Sequence, residues 1–131
     1  MTTDLWMLLW SAVLCLLLPV TYLMGRTMTP GGLAWGLGNR DRPLDAVPAW
    51  TARAQRAHLN LIENLAPFAI LVLVAQVAGK ANATTALGAT LFFWGRVAHA
   101  AVYIAGITMV RTAVFFVVAA GELLILMQIL R

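Results

Sequence analysis

Charge is what this chain has least of. Asp, Glu, Lys and Arg make up 11% of its 131 residues and 62% are hydrophobic, with a mean hydropathy of +0.86. Soluble domains carry roughly 25% charged residues. A water-soluble fold of this length has no interior large enough to hide so much apolar surface, so the chain reads as an integral membrane protein. Cysteine is limited to Cys15, which excludes an intrachain disulfide. One cysteine and two histidines also make no zinc or haem set, so no metal is expected. Acid is scarcer than base, five residues against nine, for a net charge of +4. The basic residues gather between apolar runs, which points to orientation in a bilayer and not to nucleic acid. There is no phosphate-cradling glycine loop and no nucleophile–base pair. Any reaction here needs a nucleophile that arrives with a bound molecule. No repeat or low-complexity tract divides the chain, and its length suits one domain over residues 1–131.

What is present is four apolar spans: Leu5–Gly25, Arg56–Gly79, Thr84–Gly106 and Val110–Leu130. Each has roughly the 20 residues that cross about 30 Å of hydrocarbon. Backbone groups cannot go unpaired in lipid, so the spans are expected as helices, over about 5–25, 54–79, 84–107 and 110–130. The fold class is all-α, a four-helix membrane bundle. The first run lacks a basic n-region and a small-residue cleavage pattern, so it is expected as a transmembrane helix and not a signal peptide. The first connection, from Arg26 to Thr51, is rich in glycine and proline. The other two, Lys80–Ala83 and Ile107–Met109, are short and imply antiparallel neighbours. Arg26, Arg40, Arg42, Arg53 and Arg56 flank the first connection, and Arg111 follows the third. The positive-inside rule places both of these in the cytoplasm and both termini on the far side. Trp6, Trp10, Trp35 and Trp50 suit interfacial anchors.

Ionisable groups interrupt three of the spans. A charge at mid-bilayer costs at least about 2.5–3.5 kcal/mol, so these groups should face the bundle, pair, or line a wet cavity. Arg53, Arg56, Asn60, Glu63 and Pro67 succeed one another by three or four residues and share a helix face. Arg96, His99, Tyr103 and Gly106 do the same on the third span, and Arg111 and Thr112 open the fourth. Glu63 lies about 10 Å and Arg96 about 15 Å from the cytoplasmic side at 1.5 Å per residue, a difference an arginine side chain spans. A buried Glu63–Arg96 ion pair is therefore expected, with His99, Tyr103, Asn60, Arg56 and Arg111 forming a pocket toward the cytoplasm. The excess of arginine there suits an anionic ligand, since the guanidinium fork binds carboxylates bidentately. His58 lies about 200° around the helix from Arg56 and is expected to pack. Pro19 and Pro67 read as tolerated kinks. Glu122 has three candidate surroundings: a subunit contact, a pore, or the lipid boundary.

The run R-A-H-L-N-L-I-E-N at Arg56–Asn64, followed by Pro67–Phe68, resembles the second-helix signature of the MAPEG family, the membrane-associated proteins in eicosanoid and glutathione metabolism. R-V-A-H-A-A-V-Y-I-A-G at Arg96–Gly106, with Arg111 opening the next span, resembles that family's third helix and the start of its fourth. The motif G-N-R-D at Gly38–Asp41 is similar to bacterial members. The resemblance implies homotrimers of four-helix subunits, with glutathione bound between neighbours near the cytoplasmic face. It implies that Arg56, Asn60, Glu63, His99, Tyr103, Arg111 and Thr112 belong to the glutathione site, with Arg26 reaching a neighbour's site. Arg111 would stabilise the thiolate, because a cation beside a thiol lowers its pKa.

Three functions follow. The first is a glutathione-dependent transferase or peroxidase, in the bacterial inner membrane, acting on lipophilic electrophiles or lipid hydroperoxides drawn from the surrounding lipids. The second is a non-catalytic lipid- or partner-binding protein on the same scaffold. It rests on Leu59 and Phe115, which stand where glutathione-using members often have arginine and tyrosine. The third, a small transporter or channel subunit around Glu63, Arg96 and Glu122, lacks the inverted repeat common to transporters.

Overall fold

The computed structural model describes every residue, Met1–Arg131, and is entirely helical: α1 Thr3–Thr27, α2 Gly32–Leu37, α3 Ala49–Val77, α4 Ala83–Ala105 and α5 Thr108–Leu130. All but α2 are long and apolar enough to cross a membrane, as the four apolar runs predict. Two differences separate the sequence expectation from the structure. The Gly/Pro-rich connection contains the short helix α2, and α3 starts at Ala49, more than a turn before the apolar run. Hydropathy marks where lipid begins. The helix itself begins where Pro48 ends the loop, since Arg53, Gln55 and Arg56 are good helix formers that need no lipid.

Local chemistry sets the other boundaries. Asn82 caps α4 by accepting the backbone N–H groups of Thr84 and Thr85, while its own N–H is bonded to Thr85 Oγ1 in a capping box. The same helix ends at Gly106, whose φ of +85° is open to glycine, and the N–H of Ile107 folds back to the carbonyl of Val102 at 3.0 Å.

The helix α4 sits centrally against α1, α3 and α5, while α1 and α5 do not meet. The tightest approach joins α4 to α5 at glycine. A Cβ on Gly88 would fall 2.5 Å from the carbonyl oxygen of Gly121, and one on Gly121 would fall 2.6 Å from that of Gly88. Phe68 of α3 stacks on Phe92 of α4, centroids 3.7 Å apart and nearly parallel, at the centre of the larger apolar core. A smaller core joins Leu18, Leu61 and Ala100. The outer surface stays apolar, with Leu16 75% and Val77 90% exposed, as lipid contact requires.

Each end of the bundle is closed by polar bonds. At the N-terminal end, Thr85 Oγ1 donates to the buried carboxylate of Asp4 at 2.7 Å, and Gln76 Nε2 donates to Thr2 Oγ1 at 2.6 Å. Helices α1, α3 and α4 are tied there. At the opposite, arginine-rich end, Arg53 Nε donates to the carbonyl of Ile104 at 2.8 Å. This bond satisfies a carbonyl that the end of α4 leaves free and sets the level at which α3 faces α4.

Candidate functional site

Two cavities adjoin at the arginine-rich end. The first, about 280 Å³, is lined by Asn60, His99, Tyr103, Arg111, Thr112, Phe115 and Phe116. The second, about 230 Å³, is lined by Arg53, Arg56, Val102, Tyr103, Gly106, Ile107, Thr108 and Arg111. Tyr103 and Arg111 belong to both. The Arg111 guanidinium lies over the Tyr103 ring at 4.6 Å, and His99 meets the same ring edge-on at 5.5 Å. The four-residue steps from His99 to Tyr103 and from Thr108 to Thr112 put these groups on facing sides of α4 and α5. The turn at Gly106 brings the start of α5 beside the end of α4. Thr112 lies in the first cavity wall, its hydroxyl donating to the carbonyl of Thr108 at 3.4 Å.

The cavities are electropositive. Arg53, Arg56 and Arg111 converge with no carboxylate on either lining. The first N–H groups of α5 add the positive end of a helix dipole. The donors available are guanidinium groups, the Tyr103 hydroxyl and the Asn60 amide, while Phe115 and Phe116 line the outer edge. This set fits an anion with an apolar companion. No three His, Cys, Asp or Glu side chains gather anywhere as a metal set would.

Asn60, His99, Tyr103, Arg111 and Thr112 thus meet in one cavity, and Arg56 joins Tyr103 and Arg111 in its neighbour. Arg26 stands apart. Its guanidinium lies between the rings of Tyr22 and Trp35, at 5.4 and 5.3 Å, and donates to Gln55 Oε1. Glu63 lines neither cavity and is exposed on α3. The ion pair expected between Glu63 and Arg96 is not formed in the chain; Arg96 Nη1 instead donates to Asn60 Oδ1 at 2.8 Å. The reason is level and rotation. The Arg53–Ile104 bond and the Phe68–Phe92 stack align α3 with α4 so that Asn60 lies beside Arg96. Glu63, three residues further on, lies about 60° around the helix from Asn60, enough to leave it exposed at the edge of that face.

His58 faces α1, between Cys15 Sγ at 3.6 Å and the Tyr22 hydroxyl at 3.2 Å, away from the cavities. Arg53 and Phe116 are among the lining residues that the sequence reading did not place in a site. Arg53 shares the polar face of Arg56 and was legible by spacing alone. Phe116 carries no signal that separates it from lipid-facing residues.

Comparison with curated proteins and with solved structures gives no match. A match to the MAPEG family covers residues 7–131, nearly the whole chain. With this match over nearly its whole length and four helices long and apolar enough to cross a membrane, the chain belongs to the MAPEG family.

Proposed function

We propose that the protein is a glutathione-dependent membrane transferase or peroxidase acting on lipophilic electrophiles or lipid hydroperoxides. The observation that carries this reading is the Arg111 guanidinium seated on Tyr103, free of any carboxylate partner, in the wall shared by both cavities. Glutathione is an anion with a thiol. Arg53 and Arg56 suit its carboxylates, Asn60 and Tyr103 suit its peptide groups, and Arg111 beside the sulfur favours the thiolate. When bound, glutathione supplies the nucleophile, attacking an electrophilic carbon with loss of the leaving group, or reducing a hydroperoxide as two molecules become a disulfide. Phe115 and Phe116, 39% and 67% exposed, border the cavity on the side from which an apolar substrate enters.

A homotrimer completes the reading. Leu59, Ile62, Glu63, Ile70, Leu73 and Val77 form an exposed stripe along α3. A carboxylate facing lipid there costs about 2.5–3.5 kcal/mol or more, and a neighbouring subunit relieves it. The arginine-rich end is assigned to the cytoplasmic side of a bacterial inner membrane, by the positive-inside rule.

Calorimetric titration of the purified protein with glutathione tests the proposal. Wild type is expected to bind, and Arg111→Ala to lose at least about tenfold in affinity for the thiolate form, as loss of a charge-assisted contact predicts. No binding at millimolar glutathione overturns it. A second reading, a non-catalytic lipid binder, is favoured by Phe115 in the cavity wall and the half-exposed Leu59. It predicts co-purified lipid and no turnover of chloronitrobenzene-type or hydroperoxide substrates.

A further inference from the structure

Arg96 is the largest fully buried side chain in the molecule, 2% exposed. It leaves α4 over the ring of Phe92, at 5.3 Å, and Nη1 donates to Asn60 Oδ1 at 2.8 Å. Its Nε and Nη2 are buried without a partner in the chain. One further charged atom shares that condition: Oε1 of Glu122, on α5. The positions are adjacent in the helix packing. Gly95, the residue before Arg96, meets Val118, and Gly121, the residue before Glu122, meets Phe92 and Gly88. A lone buried guanidinium costs several kcal/mol, and unpaired donors and an unpaired acceptor of this kind are bridged by ordered water.

The bond to Asn60 has a consequence for the cavity. Arginine has five donors and no acceptor. Asn60 must therefore turn its oxygen to Arg96, which leaves Nδ2 as the group it can offer to the cavity it lines. We propose that Arg96 and Glu122 are positioning residues, a buried and hydrated charge pair between α4 and α5 that locks the Asn60 amide with its donor toward the ligand. That position then selects a hydrogen-bond acceptor, a peptide carbonyl or carboxylate, and rejects a donor. This rests on the reading of the cavity as a glutathione site and names the group that reads one part of the ligand.

A double-mutant cycle on glutathione binding tests it, with wild type, Glu122→Gln, Asn60→Ala and the pair measured by calorimetry. Glu122→Gln keeps the shape and removes the counter-charge. It is expected to weaken binding about tenfold in the wild-type background, the worth of one charge-assisted bond, and to change nothing further once Asn60→Ala is present. A purely structural role would weaken both backgrounds alike. Arg96→Lys, which keeps the buried cation opposite Glu122 but loses the fork, is the second variant should Glu122→Gln unfold, and it is expected to give the same background-dependent loss. Equal affinity of wild type and both variants overturns the proposal, as does an equal loss in both backgrounds. If wild type itself binds no glutathione, the site reading fails, and the positioning role falls with it.

Discussion

Tyr103 holds the candidate site together at the scale of single residues. Its ring supports Arg111 and meets His99, and its side chain walls both cavities. The two parts of the side chain separate by mutation. Tyr103→Phe keeps the aromatic face under the guanidinium and loses only the hydroxyl. Tyr103→Leu removes the face. A cation–π contact at a partly exposed site contributes about 0.5–1 kcal/mol. Tyr103→Leu is therefore expected to weaken glutathione binding by about two- to fivefold beyond Tyr103→Phe, a difference that titration of the two variants measures. Arg96 shows what was legible at this scale and what was not. Its burial and need for a partner follow from a charge in an apolar span. The partner's identity does not. Glu63 and Asn60 are one turn apart on the same polar face, and a reading by depth alone favours the opposite charge. The registry of α3 on α4, set by Arg53 and Phe68, decides for Asn60.

Among the elements, the pair α4–α5 matters most, because it carries His99, Tyr103, Arg111 and Thr112 along with the buried Arg96. Its closeness depends on Gly88 and Gly121, where the two backbones leave no room for a Cβ. Gly88→Val must push the helices apart against backbone atoms that cannot rotate away. Overpacking of this kind costs about 1–3 kcal/mol. The expected outcome is a lower thermal unfolding midpoint in detergent, with weaker glutathione binding as Arg111 moves off Tyr103. An unchanged midpoint would show that the helices are not held at this crossing. The glycines themselves were visible in the sequence, but nothing local marks which of the ten glycines is a contact. Helix starts show the converse. The start of α3 is written in Pro48 and the helix formers after it, and hydropathy places it too late because lipid and helix need not begin together.

For the whole molecule, four apolar helices in a family of membrane proteins make an integral membrane protein. The proposed orientation rests on charge asymmetry. Arg40 and Arg42 lie on the connection between α1 and α3, and Lys80 lies at the opposite end. In a Cys15→Ser background, Asp45→Cys is expected to resist a membrane-impermeant maleimide applied to intact spheroplasts, while Lys80→Cys is labelled. The reverse pattern would invert the assignment and move both cavities to the outer face.

The sequence by itself determined the class of the protein, the number of its spanning helices and the faces that carry polar groups. Those properties are local: they depend on composition over about 20 residues and on the 3.6-residue turn. Only the tertiary structure decided the pairings. It turned Asn60 and not Glu63 toward Arg96, set Arg111 on Tyr103, kept Arg26 within its own α1–α3 corner, and left Glu122 Oε1 buried without a partner in the chain. Each outcome depends on how far one helix is rotated and shifted against another. That rotation is fixed by contacts between distant residues, at Gly88 and Gly121, Phe68 and Phe92, Arg53 and Ile104, and no stretch of the chain contains both partners.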